Sequence, residues 1–198
     1  MMLNEETAVA SGALPLAEFR DHLRLGTGFA DVGAEDAALE AYLRAAMAAI
    51  EGRTAKVLIA RAFTLSLEAW RDDQSQPLPV APVSAVAEVR LIDRAGAVEV
   101  VDPARWRLVR DMGRPRLEAM GGCLPAIATG GTAEIAFTAG FGPAWADLPV
   151  DLAQAVLLLA AQYYETRSEL AASGDAMPFG VRALIERWRT VRVLGGRG

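Results

Sequence analysis

The chain has 198 residues, 53% of them hydrophobic, and a formal net charge of −5. That is enough apolar material for one sizeable core, and the acidic balance argues against a general nucleic-acid binder. One cysteine, Cys123, excludes an intrachain disulfide, and one histidine, His22, excludes a thiolate–imidazole metal cluster. The opening "MMLNEETAVASG" has neither a basic nor an apolar leader region, so no signal peptide is expected. The apolar run Ala155 to Ala161 falls well short of the roughly 20 residues that cross a bilayer. The sequence reads as a soluble protein made in a reducing compartment.

In chain order, "LPLAEFRDHLRL" (14–25) predicts a first helix. Pro15 suits its first turn, and Leu16, Phe19 and Leu23 share a face. A glycine-rich break follows, and Glu35 and Asp36 open a second helix at its dipole-favoured end. Leu39, Tyr42, Leu43, Ala46, Met47 and Ile50 then recur at helical spacing, placing the helix at about 35–51. Gly52 is expected to weaken or end it, with a short helical turn through Lys56 to Ile59. The period changes to two in "RAFTLSLEAW", where Phe63, Leu65, Leu67 and Ala69 alternate with polar residues, as in a half-buried strand.

"RDDQSQPLPVAPVS" reads as a proline-punctuated loop. Short strands are expected at "VAEVRLID", "AVEVV", "RWRLVR", "RPRLEAM" and "TAEIAFTAGF", separated by glycine turns. Pro149 begins a third long helix (about 149–172), with Asp147 or Asp151 serving its N-terminus. Leu152, Val156, Leu159 and Tyr163 form one stripe, and Leu157, Leu158, Ala160 and Ala161 cover most of the rest, so the helix is expected to be wrapped by other elements. A last helix (about 179–194) sets Val181, Leu184, Ile185, Trp188 and Val191 against an arginine face. The fold class is therefore α+β: one domain over 1–198, with a helical core from 14–61 and 149–194 and an antiparallel β insertion at about 62–141. The expected core includes Leu39, Tyr42, Leu43, Ile50, Val156, Leu157, Leu159 and Tyr163.

Signs of chemistry are sparse. "GTGFADVG" and "GGCLPAIATGG" lack the Lys-Ser/Thr of a phosphate-binding loop and read as turns. His22 has no nucleophile signature beside it, Asp72 and Asp73 read as a solvated pair, and Cys123 has no basic neighbour to activate it. Glu165 and Arg167 are two apart and do not face each other on a helix. No catalytic residue, metal or cofactor is expected. Charge is uneven: residues 181–198 hold five arginines against one glutamate, a net of +4, leaving −9 for the rest. A basic arm on an acidic body points to a specific partner for the arm, and Trp188 among arginines has the composition of a binding hot spot.

Four segments in order, "LPLAEFRDHLRL", "EDAALEAYLRAAMAAIEGRTAKVLI", "AGFGPAWADLPVDLAQAVLLLAAQYYETR" and "MPFGVRALIERWRTVRV", bracket the chain. In pattern and order it resembles the head–tail connector (adaptor) proteins of long-tailed phages and of gene transfer agents, phage-derived particles of α-proteobacteria. The third segment, a glycine-aromatic turn running through Leu-Pro into an Ala/Leu helix ending Tyr-Glu-x-Arg, carries the likeness furthest.

The resemblance implies a structural, non-enzymatic protein at the head–tail junction of a particle assembled in the bacterial cytoplasm. It implies a homo-oligomeric ring of twelve copies beneath the portal, extending the DNA channel and offering a platform to a stopper or tail protein. DNA passes without sequence-specific binding, and no membrane is involved. An acidic body fits such a channel, because each neutralised phosphate would add salt-dependent affinity. The C-terminal segment is implied to reach the portal protein, through Val181, Arg182, Leu184, Ile185, Arg187, Trp188, Arg189 and Arg192. Two other classes compete. A DNA-binding module would use the arginine helix, and a small enzyme would need a polar pocket around the glycine-rich loop and Glu165.

Overall fold

A computed structural model describes residues 1–24, 32–166 and 177–189. Its elements in chain order are β1 (Met2–Glu5), α1 (Leu16–His22), α2 (Val32–Thr54), β2 (Arg61–Leu67), β3 (Ser75–Pro77) and β4 (Val83–Ile92). They continue with β5 (Val98–Val100), β6 (Trp106–Val109), β7 (Arg116–Ala119), β8 (Thr132–Ala139), α3 (Val150–Glu165) and α4 (Phe179–Ile185). The fold is α+β. The chain divides into two compact units. A β unit takes residues 1–10 and 57–147, and a helical unit takes 11–56 and the described residues from 148 onward.

The β unit holds a five-stranded antiparallel sheet in the order β1-β2-β8-β4-β5 and a three-stranded one in the order β3-β7-β6. Period-two alternation builds the first. Phe63, Leu65 and Leu67 of β2 are buried opposite Phe137, Ile135 and Ala133 of β8, while the residues between them are only half-buried. The Phe63 and Phe137 rings stack with centroids 5.7 Å apart. Val57, Val89, Val101, Leu117 and Leu124 complete this core.

Two strands were not legible in the pattern. β1 lies in the opening stretch, to which the sequence assigns no element, paired along β2 from Met2 opposite Ser66 to Glu5 opposite Phe63. Four residues with one core contact, Leu3, are too few for alternation to register. β3 lies in the proline-punctuated loop, where buried Gln76 satisfies itself locally. Its Oε1 accepts the Arg71 N–H at 2.9 Å, and its Nε2 donates to the Pro77 carbonyl at 2.9 Å. A buried polar residue with backbone partners is stable but invisible to a hydrophobic count.

The glycine-aromatic turn closes this unit. Gly140 sits at φ +136°, and a Cβ there would fall 2.3 Å from the Ala60 Cα. That approach lets the Phe141 N–H reach the Leu58 carbonyl at 3.1 Å and the Ala60 N–H reach the Gly142 carbonyl at 2.8 Å. Residues 55–59 are consequently not the helical turn expected from the sequence. Ala55 takes a left-handed φ of +54°, and Ile59 bridges to Gly142. Helix α2 also runs through Gly52 to Thr54, whose hydroxyl donates to the Ile50 carbonyl at 2.8 Å and accepts the Lys56 N–H at 3.2 Å. The side-chain bonds at Thr54, not the glycine, mark the end.

In the helical unit, α3 packs against α2, α4 and α1. Leu39, Leu43, Ala46, Met47 and Ile50 of α2 and Leu152, Ala155, Val156, Leu159 and Ala160 of α3 are buried. Expected core residues Tyr42, Leu157 and Tyr163 are only half-buried. Helix α3 is therefore not wrapped on all sides: Val150 is 85% exposed, Gln154 is exposed, and Leu157 and Leu158 flank the buried stripe. Tyr42 instead meets Tyr164 edge-on, with centroids 5.9 Å apart. On α2, Glu40 pairs with Arg44 at 2.6 Å and accepts from the Ser11 hydroxyl at 2.8 Å.

Candidate functional site

The most organised polar constellation in the helical unit joins the start of α3 to the end of α4. Pro149 and Pro178 stand immediately before the two helices, each with extended backbone, so each helix begins abruptly. Asp151 lies in the first turn of α3, where the dipole favours an anion. Its Oδ2 accepts the Trp188 indole N–H at 2.7 Å and pairs with Arg187 Nε at 2.7 Å; its Oδ1 accepts the Leu152 N–H at 3.0 Å. The Arg187 guanidinium lies 4.8 Å from the Trp188 ring centroid, a cation–π stack on the same residue pair. Burial pushes the Asp151 carboxyl up, but the Trp188, Arg187 and Leu152 donors outweigh it and hold the group below the usual aspartate range.

This geometry narrows what the C-terminal segment can offer a partner. Val181 and Ile185 are buried (1% exposed each), and α4 packs on α3, so the apolar stripe finds its cover within its own unit. A turn of 3-10 helix, Glu186–Trp188, and an extended Arg189 follow α4; the part of the expected helix at 190–194 lies outside the described residues. Leu184 and Trp188 are half-buried. Arg182, Arg187 and Arg189 stay exposed, Arg189 pairing with Glu186 at 3.1 Å, and Phe179 is 84% exposed. Arg192, Val191 and Arg167 lie outside the described residues. The exposed surface of α4 is thus narrower than the sequence suggests: Phe179, Arg182 and the arginines at its end.

The other candidate groups are dispersed. Cys123 is exposed, and its thiol donates to Asp73 at 3.5 Å; that hydrogen bond and charge raise its pKa, the opposite of activation. Asp72 Oδ1 accepts the Gln74 N–H at 2.9 Å and so shapes a turn. A shallow cleft of about 460 Å³ is lined by Asp72, Gln74, Ser75, Glu118, Ala119 and Gly122. Glu118 there is already engaged by Arg107 at 2.7 Å and Arg116 at 2.6 Å, hydrogen bonds that lower its pKa. This is a carboxylate consumed by ion pairing rather than poised for proton transfer. His22 and Glu165 are exposed at the ends of α1 and α3. Among the described residues, no group of three or more His, Cys, Asp or Glu is placed to hold a metal ion, and no helix is long and apolar enough to cross a membrane.

No family model and no curated protein matches the chain. Solved structures do. A chain from the neck of an empty GTA particle, computed with C6 symmetry, is 68% identical with a TM-score of 0.91. A chain from the virion of a native gene transfer agent particle is 69% identical with a TM-score of 0.88. A chain from the neck of a native GTA particle, computed with C12 symmetry, is 63% identical with a TM-score of 0.87. Each match covers 100% of both chains. The chain belongs to the head–tail connector family of gene transfer agents.

The connector's role is that of a structural component of the particle, and its place is the head–tail junction. The Asp151–Arg187–Trp188 constellation is accordingly architecture, a clasp that fixes α4 on α3. Sequence reasoning had each of its members but not their meeting. The available signal was an acidic residue in the first turn of one helix and a Trp-Arg pair at the end of the next.

Proposed function

We propose that this connector is the adaptor that forms a ring beneath the portal of a gene transfer agent particle. The ring extends the DNA channel and offers the platform on which the next connector, a stopper or tail protein, docks. The observation that carries this reading is the full-length likeness, at 63–69% identity, to chains of GTA necks computed with C6 and C12 symmetry. Cyclic symmetry of that kind implies repeated copies around an axis, and twelve is the copy number proposed. The engaged carboxylates and the suppressed Cys123 thiol favour a protein that works by assembly, without catalysis.

The portal-facing surface proposed is the exposed side of α4, with Phe179 as apolar anchor and Arg182, Arg187 and Arg189 as donors to carboxylates on the portal. Val181 and Ile185 act beneath it by holding the helix in place, and Arg192 is proposed to extend the arginine face. Native mass measurement of the purified connector, alone and mixed with its portal, tests the reading. A complex of portal ring plus a connector ring is expected. Free connector beside an unaltered portal mass would count against it.

A further inference from the structure

The five-stranded sheet ends in β1 on one side and β5 on the other, and among the described residues no further strand pairs with either. Both carry exposed apolar side chains: Met1 (79%) and Met2 (58%) at β1, Val98 (56%) and Val100 (57%) at β5. All three residues of β5 are exposed. Neither strand contains Lys or Pro; each is short and carries one glutamate, Glu5 in β1 and Glu99 in β5, which limits indiscriminate pairing without closing the edge. Each edge is nevertheless firmly built. Arg61 Nε holds Glu5 at 2.9 Å beside β1, and the Asp93 carboxylate accepts the Ala95 and Ala97 N–H groups at 2.8 Å in the turn before β5.

The register relates the two edges. Met2 lies opposite Ser66, Ser66 opposite Glu134, Glu134 opposite Arg90, and Arg90 opposite Val100. Met2 and Val100 therefore stand at the same level and on the same face of the sheet, at its two ends. Every pairing in between is antiparallel, and there are four of them, so β1 and β5 run in the same direction.

We infer that neighbouring copies of the connector join edge to edge, β5 of one against β1 of the next, in parallel and with Val100 beside Met2 of the following copy. A cyclic ring requires each copy to present two different, mutually complementary surfaces, one at each end, and the opposite edges of one sheet meet that condition. Rotation about an axis lying along the strands carries β1 onto the β5 edge without reversing it, which is why a same-direction pair of edges suits a ring. The junction pairs open N–H and C=O groups and buries Met2 against Val100. This inference rests on the ring reading and names the contact that closes it.

Disulfide capture tests it. Parallel neighbours bring paired Cα atoms to about 4.8 Å, inside the range of a disulfide. In full-length connector carrying Cys123→Ser, the pair Met2→Cys and Val100→Cys is introduced, and particles are purified and oxidised. Non-reducing electrophoresis is expected to show species at two, three and more subunit masses, and either cysteine alone should give none beyond two. Electron microscopy of the same particles separates the two ideas. A ring present without the ladder overturns the edge junction alone, and particles with no connector ring overturn the ring reading as well. Should the cysteine pair block assembly, Val100→Asp decides. Loss of the ring with an unshifted melting temperature of the subunit supports the junction, and an intact ring overturns it.

Discussion

The indole N–H of Trp188 donates to Asp151 at 2.7 Å, tying the last described turn of the chain to the first turn of α3 across 37 residues. Arg187 shares the same carboxylate, but its side chain is 69% exposed while that of Asp151 is 19% exposed. Solvent screening makes an exposed ion pair worth little, whereas the half-buried indole bond to a charged acceptor is worth more. Trp188→Phe is expected to lower stability of the helical unit by about 1–2 kcal/mol, and Arg187→Gln by about 0.5 kcal/mol or less. Urea unfolding followed by far-UV circular dichroism orders the two; a larger loss for the arginine would reverse the assignment.

The same carboxylate gives the clasp a pH dependence of known sign. Asp151 titrates below its unfolded value of about 3.9. The native state therefore binds fewer protons through that window, so the contribution is whole above about pH 5 and is lost as pH falls through the folded value. Asp151→Asn removes it. The gap in melting temperature between wild type and D151N is expected to stay constant from about pH 5 to 7 and to narrow below about pH 4. A gap that widens on acidification would mean that the carboxyl is raised, not lowered, in the fold.

Leu157 and Leu159 are two positions apart on α3, yet Leu159 is 1% exposed and Leu157 only half-buried. Leu159→Ala is expected to cost about 2–5 kcal/mol, because truncating a fully buried side chain leaves a cavity in the helical unit. Leu157→Ala should cost less than half as much in the isolated subunit. Equal losses in denaturant titration would show that the face around Leu157 is covered in the free protein.

Periodicity made the helices legible, and its limits explain what was missed. The i, i+3, i+4 pattern from Leu39 to Ile50 has enough repeats to declare a face, and the alternation from Phe63 to Leu67 does the same for β2. β1 (MLNE) and β3 (SQP) are no shorter than β5 but lack the β-branched residues, such as Val98 and Val100, that mark it, and Gln76 hides its burial behind backbone partners. The error over Leu157 has another origin. A nearly all-apolar helix does not reveal which sides its neighbours cover, and that depends on where α1, α2 and α4 pack against it. The C-terminal segment was read as apolar stripe plus arginines, both present. That Val181 and Ile185 would spend the stripe inside their own unit required knowing where Asp151 sits relative to Trp188.

That division of α4 into buried and exposed residues predicts separable variants. Ile185→Ala should cost about 2–5 kcal/mol and lose portal attachment only through loss of the fold. Arg182→Glu should leave the melting temperature nearly unchanged, because exposed substitutions of this kind fall within about 0.5 kcal/mol. It should nevertheless weaken co-sedimentation with portal rings, most strongly at low salt. Normal attachment of R182E across salt concentrations would remove α4 as the portal surface.

The final prediction concerns the glycine-aromatic turn on which the family likeness rests most heavily. Gly140 combines a φ of +136° with an approach in which any Cβ meets the Ala60 Cα at 2.3 Å and the Ala60 N at 2.4 Å. The first condition strains an L side chain whatever the space, and the second is a backbone clash that no rotamer relieves. Gly140→Ala should therefore force the turn away from residues 58–60, breaking the Phe141–Leu58 and Ala60–Gly142 hydrogen bonds together. The expected cost is at least about 3 kcal/mol, from a strained backbone plus two lost hydrogen bonds. Gly12→Ala is the matched control, since a Cβ there meets nothing within 4 Å, and its melting temperature should not move. If both variants melt like wild type, the close approach of the turn to Ala60 does not hold the β unit. If only Gly140→Ala falls, the close approach of the turn to the Ala60 backbone requires glycine at this position.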